Sequence, residues 1–223
     1  MAKGSDPAAR EELLLQALNR NALTALGSLP ADPAFCPPTA QSLVLVGPQG
    51  GQRWWQALQT SAEWQDGQSH PIDRWSKRVL GMIAQHNDGT AIFPSDGPPY
   101  PPFLHWARQS GRMWQSPVGM LVHPDAGLWV SFRGALALPF PVLLPTSAIP
   151  CNSCAAQPCR NACPVDALGA AGYDTVSCHA FLDSTPGQDC MSRGCAARRA
   201  CPRGESHARS SEQSAYHMRQ FHR

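Results

Sequence analysis

Lysine is almost missing from this chain: Lys3 and Lys77 are the only two among 18 basic residues, and the rest are arginine. In a sequence so rich in alanine, proline and arginine, GC-rich coding accounts for that bias without a selected arginine surface. A formal net charge of +2 is too small to imply a nucleic-acid partner, because backbone binding needs a clustered basic face. No window approaches about 18 uninterrupted apolar residues, which excludes a spanning helix. The N-terminal MAKGSDPAAREELL has no apolar core, so no secretory signal is expected. The glycines at 47, 50 and 51 lack the Gly-x-Gly-x-x-Gly spacing, and no Lys-Ser/Thr follows them. They read as a turn rather than a phosphate-binding loop. No internal repeat is visible in the first 150 residues.

What is abundant is turn chemistry and cysteine. With 22 prolines and 18 glycines in 223 residues, many short elements are expected, arranged as one domain of ordinary size and a small one. Eight of the nine cysteines lie between 151 and 201. In a chain without a signal peptide this favours the cytoplasm, where thiols stay reduced and clustered cysteines serve as metal ligands.

The cysteine run reads Cys151-x2-Cys154, then Cys159-x3-Cys163-Pro164, followed by Cys178, Cys190, Cys195 and Cys201-Pro202. Soft thiolates at such spacing are the ligands of cubane iron-sulfur clusters. In two-cluster ferredoxins the fourth cysteine of each run crosses to the other cluster. Transferred to this chain, Cys151, Cys154 and Cys159 with Cys201 hold one [4Fe-4S] cluster, and Cys163 with Cys178, Cys190 and Cys195 the other. Three spacings depart from the common pattern: four residues between Cys154 and Cys159, four between Cys190 and Cys195, and five before Cys201. A zinc site is the alternative, since paired Cys-x2-Cys motifs also build tetrahedral centres. Cys36, alone in a proline-rich loop, stands outside the pattern.

Along the chain, residues 7–26 read as an amphipathic helix with Leu13, Leu14, Ala17, Leu18, Ala22 and Leu26 near helical spacing. SLVLVG at 42–47 reads as a buried strand, with a helix after it. Residues 70–87 read as a second amphipathic helix with Ile72, Trp75, Val79, Met82 and Ile83 on one face, and 89–94 as a strand. GMLVH, LWVSFRG and ALALP read as three strands, the first two joined in a hairpin across Pro124–Gly127. Four prolines at 139–150 suit a linker. The domain boundaries are therefore 1–138, a linker at 139–150, an iron-sulfur domain at 151–204, and a polar tail or helix at 205–223.

Two resemblances extend this reading. CNSCAAQPCRNACPVDAL, YDTVSCHAFL and GCAARRACP resemble the C-terminal part of epoxyqueuosine reductases and reductive dehalogenases, which carry two [4Fe-4S] clusters beside a corrinoid domain. SLVLVGPQGGQRWWQAL, HPIDRWSKRVLGMIAQHNDGTAIF and GMLVHPDAGLWVSFRGALALP are similar, in the same order, to segments of the cblC-type vitamin B12 processing protein, whose scaffold is a modified flavin nitroreductase. The matching positions include His86, Gly89, Gly119, His123, Pro124, Gly127, Trp129, Arg133 and Gly134. This resemblance implies an α+β fold, with a nitroreductase-like mixed sheet flanked by helices and a small ferredoxin-like iron-sulfur domain. It also implies a corrinoid (cobalamin) site between the domains, with His86, Gly119, Trp129 and Arg133 as binding residues; flavin is the second candidate. The Asp-x-His-x-x-Gly corrinoid motif is absent, so a corrinoid would bind without that lower histidine.

On the residues alone, Trp129 suits a core position and His86 and His123 suit structural roles, whereas Arg133 in an apolar run demands a partner or an anionic ligand. The functional expectation is an iron-sulfur redox protein, with an external electron donor or acceptor protein as partner, that passes electrons through two clusters to a corrinoid or flavin held by the N-terminal domain, as an oxidoreductase in corrinoid reduction or processing. The alternatives are a plain ferredoxin-like electron carrier with a partner-docking domain and a zinc-stabilised interaction module. No catalytic acid, nucleic-acid partner or membrane contact is evident, and the oligomeric state is not readable.

Overall fold

The computed structural model describes residues 6–169 and 172–222. They fall into two compact units. The first gathers the described parts of Met1–Gln49, Arg53–Arg112 and Ser131–Thr146, and the second those of Gly50–Gln52, Met113–Val130 and Ser147–Arg223. The proline-rich 139–150 stretch is divided between them.

The first unit opens with helix α1, Pro7–Arg20, where the Asp6 carboxylate accepts the Ala8 amide at 3.3 Å and Pro7 occupies the first turn. The helix ends short of residue 26. Asn21 caps it, its side chain donating to the Ala17 carbonyl at 2.9 Å, and Ala22 takes φ +55°. The reversed chain then forms strand β1, Leu23–Pro30. A β-bulge between Ala25 and Gly27 adds Leu26 as an extra residue to this strand, so the Ala22 and Leu26 spacing that reads as helical spans the chain reversal and the bulge.

Strand β2, Ser42–Pro48, pairs antiparallel with β1. After it come the helices α2 (Arg53–Gln59), α3 (Ala62–Gln65) and α4 (Pro71–His86), strand β3 (Thr90–Ile92) and helix α5 (Phe103–Gln109). The chain leaves for the second unit and returns as strand β6, Gly134–Leu138, leaving β4 and β5 to be described with that unit. The sheet order is β1-β2-β6-β3, and every pairing is antiparallel. The mixed sheet expected from the sequence is corrected on this point, because among the described residues no strand–helix–parallel-strand crossover forms: β2 and β3 both lie against β6 in the opposite direction.

The central β2 and β6 are buried along almost their whole length, which is why SLVLV and ALAL carry no alternating polar residues. Helix α4 covers β3 and β6, burying Ile72, Trp75, Val79, Leu80 and Ile83, while Met82 points outward at 43% exposure. Trp54 of α2 meets Trp75 edge-on at 6.2 Å. Gly47, one of the three turn glycines of the sequence, lies inside β2, where a Cβ would stand 2.5 Å from the Ser131 carbonyl oxygen.

The second unit carries a short hairpin of β4 (Trp114–Gln115) and β5 (Leu121–Val122). The hairpin expected across Pro124–Gly127 is reduced to a single His123–Gly127 bridge, and residues 128–133 form no strand. The His123 ring explains the tight turn. It is buried, and its Nδ1 accepts the amides of Asp125 and Ala126, both at 3.2 Å. Beyond Ser147 the unit is built from short pieces: 3-10 turns at Pro150–Ser153 and Pro158–Asn161, the strands β7 (Leu168–Gly169) and β8 (Gly172–Tyr173), and helices α6 (Thr175–Leu182), α7 (Gln188–Arg193) and α8 (Ala196–Arg199). A 3-10 turn at Pro202–His207 and helix α9, Ser211–Phe221, complete it, with α9 packed on α7. All three 3-10 turns begin with proline, whose missing amide hydrogen costs nothing at that position. Among the described residues no helix is long and apolar enough to cross a membrane.

Candidate metal centre

All nine cysteines are free thiols, and within the second unit the structure brings eight of them together as two groups. Cys151, Cys154, Cys159 and Cys201 line one recess with Val122 and Leu128 at its floor. The recess is small, about 20 Å³. Cys159 is buried in a small core with Val118, Val122 and Leu128, and Cys151 and Cys201 pack against the same core. The late return of Cys201 to this place is held by its own turn. Gly204 donates its amide to the Cys201 carbonyl at 3.1 Å, and Arg203 Nη2 donates to Ser153 Oγ at 2.7 Å, tying the 202–207 turn to the 150–153 turn. Burial, and secondarily the neighbouring thiols, hold Cys151 and Cys159 above the ordinary thiol range.

The second group is Cys163, Cys178, Cys190 and Cys195. Burial first, then repulsion from Cys195, Cys163 and Cys190, raises the Cys178 thiol, while the Tyr173 hydroxyl acts in the opposite sense. Tyr173 Oη donates to Cys178 Sγ at 3.1 Å, and the Ala167 amide donates to Cys163 Sγ at 3.3 Å. Cys190 is buried, with the Ala196 amide donating to its sulfur. Burial also pushes the Tyr173 phenol well above its usual value. The Arg198 guanidinium, drawn down by burial and stabilised by Cys195 and Tyr173, donates to the Leu128 carbonyl.

Among the described residues, no three His, Cys, Asp or Glu side chains meet in a set for a single metal ion. His179, beside Cys178, belongs to a ring cluster: its Nδ1 is 2.7 Å from His222 Nδ1, and Phe221 lies 4.7 Å away centroid to centroid.

The four residues read as cofactor-binding are divided between the units. His86 is exposed at the end of α4, its Nδ1 2.7 Å from the Met82 carbonyl oxygen. Arg133 lies in the first unit with its Nε buried and without a hydrogen-bond partner, its guanidinium over the Trp54 ring at 5.3 Å. Desolvation draws Arg133 down to about 10, with the Asp73 charge opposing. It lines a pocket of about 310 Å³ with Asp73, Ser76, Lys77, Phe93 and Phe132.

Gly119 and Trp129 belong to the second unit. Gly119, at φ +79°, closes the β4–β5 turn, its amide donating to the Ser116 carbonyl at 3.0 Å. Trp129 is buried under the 202–207 turn: a Cβ on Gly204 would come within 2.7 Å of its ring. Sequence reasoning missed Tyr173, although it stands five residues before Cys178 in the quoted YDTVSC. It also missed the Ser153–Arg203 link, which has no sequence signal.

Fold and site together define an α+β chain whose second unit gathers eight thiols in two groups. No family model matches the chain, and no curated protein does. Among solved structures, a crystal structure of selenomethionine-labelled epoxyqueuosine reductase matches with a TM-score of 0.54, covering 94% of this chain and 71% of that one at 15% identity. At that identity the likeness is one of fold, and the chain has an epoxyqueuosine reductase-like α+β fold.

Proposed function

We propose that the chain is an iron-sulfur redox protein in which Cys151, Cys154, Cys159 and Cys201 hold one [4Fe-4S] cluster and Cys163, Cys178, Cys190 and Cys195 a second. The observation that carries this reading is the division of the thiols. Cys201 joins the group of Cys151, and Cys163 leaves its neighbour Cys159 for Cys178, Cys190 and Cys195. Four thiolates per group match the donor number and softness a cubane requires. The similar fold of a protein titled a reductase is a second support.

Bound clusters would supply one-electron transfer at potentials set by ligation, hydrogen bonds to sulfur and burial. The chain's own part is to exclude water from one side of the first group with Val118, Val122 and Leu128, and to place donors on the sulfurs of the second. An external electron donor protein and a cytoplasmic setting belong to the same reading, since thiols persist reduced there.

The finer part of the proposal is that the electrons reach a corrinoid, or a flavin, held with the help of the first unit. It rests on the segments that resemble the cblC-type protein and on Arg133, a buried cation with an unpartnered Nε beside a pocket. Gly119 and Trp129 support it less, because turn geometry and packing account for both. Anaerobically purified protein titrated with cob(II)alamin is the test. A shifted corrinoid spectrum supports the acceptor, and no shift at high protein concentration removes it, leaving the ferredoxin-like carrier with a docking unit.

A further inference from the structure

We infer that the Tyr173 hydroxyl raises the reduction potential of the centre held by Cys163, Cys178, Cys190 and Cys195 relative to that of the centre held by Cys151, Cys154, Cys159 and Cys201. The inference rests on the two-cluster reading and assigns this chain's residues a role in it.

Reduction adds negative charge to a thiolate-ligated centre, so a proton donor placed on a ligand sulfur stabilises the reduced state more than the oxidised one. Tyr173 Oη is such a donor, 3.1 Å from Cys178 Sγ. Its direction is fixed chemically, since a metal-bound thiolate accepts and a phenol donates. Its position is fixed by packing: β8 presents the ring, and Phe221 of α9 stacks on it at 6.2 Å with 15° between the planes. The donor is therefore preorganised and loses little freedom on bonding. Arg198 works in the same sense, as a cation in low-dielectric surroundings attracted by Cys195. The first group has the Arg160 charge acting on Cys151 and Cys159, and Gln157 and Arg203 line its recess beside Val122 and Leu128, but among the described residues no phenol donates to one of its sulfurs. The amides of Ala167 and Ala196 also reach sulfurs of the second group, but Tyr173 is the donor that a substitution removes without touching the backbone.

Tyr173→Phe keeps the ring and its stacking and deletes only the hydroxyl. The test is a redox titration of the anaerobic holoprotein followed by electron paramagnetic resonance. The signal of the second centre is identified in the wild type by pulsed detection of an exchangeable proton near its sulfur, lost in deuterium oxide. In Y173F that coupling disappears, and at the wild-type midpoint the reduced-to-oxidised ratio of that centre falls about threefold to tenfold, the range of one hydrogen bond. The other centre keeps its midpoint, and iron content is unchanged. Two unchanged midpoints, or equal shifts in both, overturn the inference while leaving the two-cluster reading intact. A wild-type protein without iron-sulfur signals overturns both.

Discussion

Cys151 and Cys201 line the same recess, although five of the other cluster-module cysteines lie between Cys154 and Cys201 in the sequence. That relationship nests one group inside the other: Cys163, Cys178, Cys190 and Cys195 come from one continuous stretch, whereas the first group is completed only by Cys201 from beyond it. Cys201→Ala therefore removes one centre and spares the other: iron falls from about eight atoms per chain to about four. Cys163→Ala gives the same loss from the other group. If Cys201→Ala retained the full iron content, the crossed assignment would be wrong.

Cys36 provides the internal control. It is buried in the first unit, its amide bonded to the Asp32 carbonyl at 2.8 Å, and burial holds its thiol above the ordinary range. Cys36→Ala leaves iron and acid-labile sulfide unchanged and lowers stability by about 1 kcal/mol, a small packing loss. Loss of iron in this variant would make Cys36 a ligand.

Two glycines fix how the last cysteine is delivered. Gly127 holds φ +51°, and a Cβ there would lie 2.6 Å from the Gly204 amide nitrogen. A Cβ on Gly204 would collide with the Trp129 ring. Gly204→Ala or Gly127→Ala thus forces the 202–207 turn away from the 123–127 turn, at a cost of about 1–3 kcal/mol. The expected result is faster loss of iron to a chelator from the Cys201 group, with the Cys163 group less affected. Equal retention in wild type and both variants would show that the close approach is dispensable.

The first unit has its own electrostatic signature. The Glu63 carboxylate of α3 accepts from Arg78 of α4, with Arg78 Nη2 to Glu63 Oε2 at 3.1 Å and a second bond from Nε to Oε1. The Arg78 hydrogen bond, foremost, draws Glu63 from its ordinary 4.5 to about 2. A carboxylate depressed on folding contributes stability above its unfolded value, and loses it as pH falls from about 4.5 toward 2. Glu63→Gln should cost about 1 kcal/mol at pH 7, limited by the half-exposed Arg78. The gap between wild type and variant, read by tryptophan fluorescence in denaturant, closes near pH 2. A gap that persisted at pH 2 would locate the loss elsewhere than in the ion pair.

How much of this was readable in advance depends on whether a local pattern had one physical meaning. SLVLV and ALAL, apolar on both faces, announced the central strands because only fully buried positions tolerate such runs. Residues 22–26 misled because Ala22 and Leu26 stand four apart at helical spacing, although the chain reverses at Ala22 and Leu26 sits in a β-bulge, and LWVSF looked strand-like although His123 pins the preceding turn. The cysteines could be counted and ordered from the sequence, and their grouping followed from the cross-over rule. The donors to their sulfurs could not, because Tyr173 reaches Cys178 through a short strand and a stacking contact with Phe221, neither of which leaves a pattern. Trp129 was ambiguous in sequence for the same reason: only its contact with Gly204 shows what it packs against.

The central claim is that the eight thiols hold two iron-sulfur clusters. The most direct measurement is iron, zinc and acid-labile sulfide analysis of the anaerobically purified chain together with its Mössbauer spectrum. The expected result is a brown protein with about eight iron and eight sulfide per chain in two cubane sites. A colourless protein holding stoichiometric zinc and no sulfide would contradict it.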